Sequence, residues 1–348
     1  MNDENYGEPL KILVIRLSSM GDILLSTPLL RQIKAKYGKS EIDFVVKKRF
    51  ADLLRFNPHI STLIEFDDED KKKDIRAIWK QLRTTRYHAV LDLHNNWRSN
   101  YLRLGLKAEH KNHIRKDKFR QICLVYGRKN KYKTVTPIPL RYLMVGKDLK
   151  IADDGKGLEI YWDTDSETEI RDLLKEKNFD SESKSYVCIA PGAGFFTKRW
   201  PAEYFQSLVR MIQHNYGNKI IILGGAEDHY LHAVFPSDER LLNLAGEIKL
   251  LHSAFILSRA RALVVNDTGL MHMATAVNIP VVSIFGSTVE ELGFFPFRGK
   301  SAVVQNENLY CRPCSHIGRK TCPEKHFRCM REITPEKVFV QLNRLTSG

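Results

Sequence analysis

The sequence predicts an α/β fold of two doubly wound parallel-sheet domains, one after the other along the chain. Three observations carry this. Short continuous apolar runs alternate with longer stretches whose apolar residues recur at helical spacing, the pattern of strands buried on both faces and the helices that cover them. The alternation stops in a turn-rich segment, Ala152–Gly157 (ADDGKG), and then restarts. The 348 residues, 43% of them hydrophobic, suffice for two cores. The expected units are 1–155, 156–333 and a C-terminal helix, 334–348, placed to pack back on the first domain.

In the first half, Leu10–Arg16 reads as a strand and Ile23–Tyr37 as one amphipathic helix. Ile42–Lys47 and Leu63–Phe66 are strands, Asp70–Thr84 a helix, His88–His94 a strand. A basic, partly helical stretch follows to Lys150. In the second half the strands are Tyr186–Pro191, Lys219–Gly225, Leu241–Ala245, Leu263–Asp267 and Val281–Phe285. The helices are Pro201–Asn215, Leu250–Arg259 and Gly269–Val277, and a last one starts at the cap-and-start pair Thr334–Pro335.

No run of about 18 apolar residues is present, so no transmembrane helix is expected. The polar, acidic start lacks an apolar signal segment, which points to the cytoplasm. The net charge of +14 is uneven. Residues 1–150 carry 32 Lys+Arg against 17 Asp+Glu; the remainder carries 23 against 24. The excess is a solvated basic face or a surface for something anionic: nucleic acid, a membrane surface or a phosphorylated substrate.

In doubly wound folds ligands bind at the carboxyl ends of strands, and four such ends carry polar punctuation here. Asp267-Thr268-Gly269 stands where a strand ends and a helix begins. The helix start, Gly269 and the Thr268 hydroxyl suit a phosphate, and Asp267 suits sugar hydroxyls; the plain alternative is an N-cap. His272 lies one turn on. Pro191–Pro201 (PGAGFFTKRWP) offers free backbone at Gly192 and Gly194, with donors and charge at Thr197, Lys198 and Arg199, but lacks the Walker pattern. Ile222–His229 (ILGGAEDH) places Glu227 past a strand end, for ribose hydroxyls or for helix capping. Arg16–Leu30 (RLSSMGDILLSTPLL) lacks G-x-G-x-x-G, which disfavours NAD in this half. Asp22 is there an N-terminal cap or a catalytic carboxylate.

Taken together and in order, Ser18–Asp22, Pro191–Ala193 with Lys198–Pro201, Gly224–Glu227 and Asp267–His272 resemble the ADP-heptose–lipopolysaccharide heptosyltransferases, glycosyltransferase family 9, over nearly the whole chain. The segment Cys311–Met330 is more similar to the second heptosyltransferase of the inner core than to the first. The resemblance implies a GT-B fold, two Rossmann-like domains facing a cleft, and an inverting reaction that needs no metal or other cofactor. It implies ADP-heptose as donor, and as acceptor the anionic glycolipid lipid A with Kdo, or its heptosylated form. Contact with the cytoplasmic face of the inner membrane is then expected.

Carried over residue by residue, Asp22 matches the catalytic base. Lys198 matches the residue that meets the donor diphosphate, with Gly192, Ala193 and Thr197 beside it. Glu227 would hold the ribose, Thr268 and Gly269 the diphosphate, Asp267 the heptose, and His272 would stand nearby. Ser19 and Gly21 would frame the acceptor. The basic excess supplies further acceptor candidates: Arg98, Arg103, Lys107, Lys111, Arg115, Lys116, Lys118 and Arg120. The loop before Lys198 departs from the first heptosyltransferase, with Gly194-Phe195-Phe196-Thr197 in place of a threonine pair.

Cys123 and Cys188 sit in apolar runs and read as core residues. Cys311, Cys314, Cys322 and Cys329 read either as free thiols, reduced or transiently oxidised, or as a structural zinc site; the C-x6-C second half is an imperfect zinc spacing, and His316 and His326 are further ligand candidates. Stable disulfides are disfavoured in a cytoplasmic chain. Two rival functions remain: the same fold with another nucleotide sugar, and a nucleic-acid-binding protein. The second leaves the four strand ends unexplained, so no nucleic-acid partner is expected.

Overall fold

A computed structural model describes residues 9–67, 71–179, 186–217 and 219–347. The polar start and the expected helix start at Asp70 lie outside them. The chain divides into two compact units, 1–116 with 138–162, and 117–137 with 163–348.

The first unit is built on five parallel strands: β1 (Lys11–Ile15), β2 (Glu41–Lys47), β3 (Thr62–Phe66), β4 (Arg86–Asp92) and β5 (Lys107–His113), in the order β3-β2-β1-β4-β5. β1 is central, and Ile12, Leu13, Val14 and Ile15 are fully buried. The chain winds outward through β2 and β3, then returns to the other side of β1 as β4, so the direction of winding reverses between β1 and β4. Ile15 pairs with Asp92 across that junction.

The expected helix Ile23–Tyr37 is two helices, Met20–Leu24 and Thr27–Lys36. Pro28 brings no N–H, and the Ser26 and Thr27 hydroxyls turn back onto the Ile23 and Leu24 carbonyls at 2.6 and 2.8 Å. Together they stop one helix and start the next. In the basic stretch, β5 is a strand that sequence periodicity missed. It is an edge strand with no fully buried residue, so it carries no apolar signature.

Ala152–Gly157, expected as the linker, is held within the first unit. Arg31 binds Asp154 at 2.7 Å, Glu159 at 2.9 Å and the Gly157 carbonyl at 3.1 Å. The unit ends at Trp162.

The second unit has six parallel strands: β6 (Tyr186–Ala190), β7 (Lys219–Ile222), β8 (Leu241–Asn243), β9 (Ala262–Asn266), β10 (Val281–Phe285) and β11 (Ser301–Gln305), in the order β11-β10-β9-β6-β7-β8. Its winding reverses between β6 and β9, where Ala190 pairs with Val265. β6, β9 and β10 are buried at every residue. Helices Ala202–Tyr216 and Pro335–Thr346 pack on each other, and the latter also touches β9, β10 and β11. The C-terminal helix is therefore part of the second unit. The apolar positions of these helices, such as Phe205, Leu208, Ile212, Val338 and Leu342, join one core with Trp200 and the strands.

Residues 117–137 also belong to the second unit. Arg128 donates to the Tyr310 carbonyl at 3.1 Å and to Glu324 at 3.3 Å, and Asn130 donates to Glu291 at 2.7 Å. This moves Lys118 and Arg120 out of the domain in which the sequence reading had placed them.

Candidate active site

Each unit carries a polar site at the strand junction where its winding reverses, which is where doubly wound folds bind ligands.

In the first unit the site grows from the end of β1. Arg16 is the first residue past the strand. Its guanidinium donates to the Leu93 carbonyl at 2.5 Å and meets Asp22 at 2.7 Å. Asp22 sits one turn into the helix Met20–Leu24. Its second oxygen accepts from the Ser19 hydroxyl at 2.8 Å and the Ser19 N–H at 3.3 Å. The Tyr142 hydroxyl donates to the first oxygen at 3.1 Å. Burial alone would raise the Asp22 carboxyl, but the Arg16 charge and the bonds from Ser19 and Arg16 outweigh it and hold it below the usual carboxylate range. Asp22 is thus an ionised, well-anchored and weak base.

His94 stands at the end of β4, in the turn that Asp92 makes by accepting from the N–H groups of His94 and Asn95. Burial, then the charge of Arg16, push its imidazole down to about 3, with Lys116 and Lys47 adding to the effect. His94 is neutral, its Nδ1 is buried without a hydrogen-bond partner, and it feels the Asp22 charge. The site therefore gathers Arg16, Lys47 and Lys116 around the carboxylates of Asp22 and Asp92 and one neutral imidazole.

Of the expected acceptor residues, Ser19 and Gly21 flank Asp22 directly. Arg98 opens the helix Trp97–Arg103, just past the end of β4, with its Nε buried and unpartnered. Arg103, at the far end of that helix, is occupied by His113 at 2.8 Å and Asn100 at 2.7 Å. Lys107 and Lys111 are exposed on the edge strand β5, and Arg115 lies exposed beyond it. Lys118 and Arg120 lie in the second unit. Sequence reasoning quoted Arg16 but gave it no role, and missed Tyr142 and His94, which only the fold brings to Asp22.

In the second unit the loops after β6 and β9 meet. Lys198 Nζ lies 2.8 Å from Asp267 Oδ2. The Thr288 hydroxyl, past the end of β10, donates to the same oxygen at 2.6 Å. Asn266 ties the loops together, donating to the Pro191 carbonyl at 2.7 Å and accepting from the Trp200 N–H at 3.1 Å. Thr268 is the N-cap of the helix Gly269–Ala276, yet its buried hydroxyl oxygen has no hydrogen-bond partner. An orphaned hydroxyl at a helix N-terminus, beside a lysine, fits an anionic ligand oxygen. His272 is buried in the same helix, at 3% exposure.

Two expectations for the loop after β6 change. Thr197 is 1% exposed, and its hydroxyl is taken by the Arg319 N–H at 2.8 Å and by Ser287 at 3.1 Å. It braces the loop rather than facing outward. Gly192 is needed for packing: a Cβ there would stand 2.3 Å from the Asp228 carboxyl. Ala193 is buried, while Gly194 leaves the backbone open. Asp228 is built into the loop after β7, accepting from the Gly225 N–H at 3.0 Å. Its neighbour Glu227 is exposed, as a ribose-binding residue must be.

Arg312, which stands in C-R-P-C, carries no signal in the sequence for the role it plays here. Its guanidinium donates to the carbonyls of Gly286, Asn306 and Thr288 and to the Gln305 side chain. It fixes the ends of β10 and β11 and hence Thr288, which holds Asp267.

The glycosyltransferase family 9 (heptosyltransferase) model matches residues 75–327. The chain belongs to glycosyltransferase family 9. Lipopolysaccharide heptosyltransferase 2 of Salmonella typhimurium is 26% identical, over 97% of this chain and 99% of its own. A family 9 glycosyltransferase from Veillonella parvula superposes with a TM-score of 0.81 at 20% identity, covering 98% of both chains. The Escherichia coli ADP-heptose lipopolysaccharide heptosyltransferase II superposes with a TM-score of 0.75 at 23% identity, over 97% of this chain and 99% of that one. The two parallel-sheet units are those of the GT-B glycosyltransferases, as the sequence implied.

For metals, the one group of three ligand-type side chains among the described residues whose donor atoms lie within 4.8 Å of one another is His88, Glu109 and His110. The cysteines Cys311, Cys314, Cys322 and Cys329 do not meet that spacing. All six cysteines are free thiols; Cys311 approaches His326 at 3.9 Å. Burial pushes the Cys329 thiol up to about 12 and raises those of Cys311 and Cys314.

Proposed function

We propose that this glycosyltransferase moves heptose from ADP-heptose to the lipopolysaccharide inner core, by inversion and without a metal. The observation that carries the donor side is the Lys198–Asp267 pair at the β6/β9 junction, next to the unpartnered Thr268 hydroxyl. One cation, one carboxylate and one helix start within two loops match the two halves of a sugar diphosphate. Lys198 and the helix N-terminus stabilise the charge that grows on the departing ADP. Asp267 and Glu227 accept from hydroxyls, of the heptose and the ribose.

Asp22 takes the proton of the attacking acceptor hydroxyl. Held below the usual carboxylate range, it accepts that proton late, once the oxygen has begun to bond to the sugar carbon. Arg16, Lys47 and Lys116 suit an acceptor that carries phosphates and carboxylates, such as lipid A with Kdo. Such an acceptor places the enzyme at the cytoplasmic face of the inner membrane. No helix among the described residues is long and apolar enough to cross it.

The test is transfer of heptose from ADP-heptose to Kdo-bearing lipid A in the presence of a chelator. Turnover that survives chelation and is lost in Asp22→Asn, with ADP binding intact, is expected. Turnover only with a different nucleotide sugar would replace the donor and keep the fold.

A further inference from the structure

The helix Lys118–Val125 has two apolar faces. Leu124 and Val125 are buried, at 6% and 7% exposure. Phe119, Ile122 and Tyr126 are turned outward, at 74%, 55% and 68%. The spacing i, i+3, i+7 aligns these three in one stripe on the outer side. Helical geometry puts Lys118 along one border of the stripe and Arg120 along the other. Residues 118–133 hold six basic residues and no acidic one. Lys129, Lys131 and Lys133, in the strap that follows, are all exposed.

Bulky apolar side chains exposed in a row are costly in water, and a basic border around them selects the cover. A protein partner or a substrate pocket needs no flanking charge on both sides. An anionic lipid surface does: the stripe enters the acyl boundary while the lysines and arginines stay with the headgroup phosphates. We propose that this helix and its strap are the surface by which the protein docks on an anionic phospholipid bilayer. The purpose rests on the reading of a lipid-borne acceptor; the surface itself rests on the exposed stripe and its charge.

The experiment is co-sedimentation of the full chain with vesicles of phosphatidylcholine alone or with added phosphatidylglycerol, without donor or acceptor. Binding to the phosphatidylglycerol vesicles that weakens with salt is expected. F119S/I122S/Y126S lowers the partition coefficient roughly tenfold or more. K129E/K131E/K133E lowers it to a similar degree and removes the salt dependence. Phe119→Ser alone serves if the triple variant fails to fold, as read by thermal unfolding. Failure of the wild type to bind, unchanged binding of the serine variants, or binding only when the glycolipid acceptor is added would each overturn the proposal. The assay contains no sugar nucleotide, so its failure leaves the transferase reading standing, and loss of turnover leaves the docking surface standing.

Discussion

Lys198 and Asp267 reach from neighbouring strand ends to 2.8 Å of each other, on loops that Asn266 ties together. The carboxylate holds the lysine where a diphosphate would take it over. Lys198→Ala is expected to weaken ADP binding by roughly ten- to a hundredfold, the worth of a charge-assisted contact. It also leaves Asp267, at 7% side-chain exposure, with Thr288 alone, so the thermal midpoint falls. Calorimetric titration with ADP and a melting curve check both.

The hydroxyl of Thr268 has no role in the fold that its replacement would disturb. Thr268→Val should leave unfolding free energy within about 1 kcal/mol, because no hydrogen bond is lost. Donor binding should drop by roughly five- to tenfold. A large stability loss with unchanged ADP affinity would show the hydroxyl to be structural.

Gly192 is expected to tolerate no side chain. The added Cβ of Gly192→Ala meets the Asp228 carboxyl at 2.3 Å, an overpacking worth about 1–3 kcal/mol. Adding Asp228→Ala should recover part of that loss. Denaturant titration of the single and double variants measures the coupling.

Acid should act through two groups with opposite charge logic. Asp22 is held low, so the stability of its pair with Arg16 is complete above the ordinary carboxylate range and is lost as pH falls through its depressed value. The acid limb of kcat/KM should accordingly lie below that range, and Arg16→Met should shift it upward. His94 is neutral down to about 3, whereas an unfolded histidine charges near 6.5. Between those values the unfolded chain binds the extra proton, so stability falls as pH drops, by at most about 1.4 kcal/mol per pH unit. His94→Gln should flatten the pH dependence of unfolding in that window.

The sequence reached the fold class and most central strands because β1, β4, β6, β9 and β10 are buried runs with an unmistakable apolar signature. It missed β5, whose seven residues are all polar or small and which borrows its structure from β4. It placed the domain boundary at a turn-rich segment because turn chemistry is local, whereas the grip of Arg31 on Asp154 spans over a hundred residues. The same limit applies to the sites. Asp22, Lys198 and Asp267 were legible because each lies in the polar stretch that follows a buried strand. Tyr142, Thr288 and Arg312 were not, because their roles arise from contacts made far along the chain.

The central claim is that the β6/β9 junction takes an adenine sugar nucleotide without a metal. The direct measurement is calorimetric titration of the protein with ADP-heptose, ADP, UDP and GDP in the presence of a chelator, repeated with Lys198→Ala. Adenine-selective binding that the substitution weakens is the predicted result. Binding that appears only with a divalent ion, or that Lys198→Ala leaves unchanged, would contradict it.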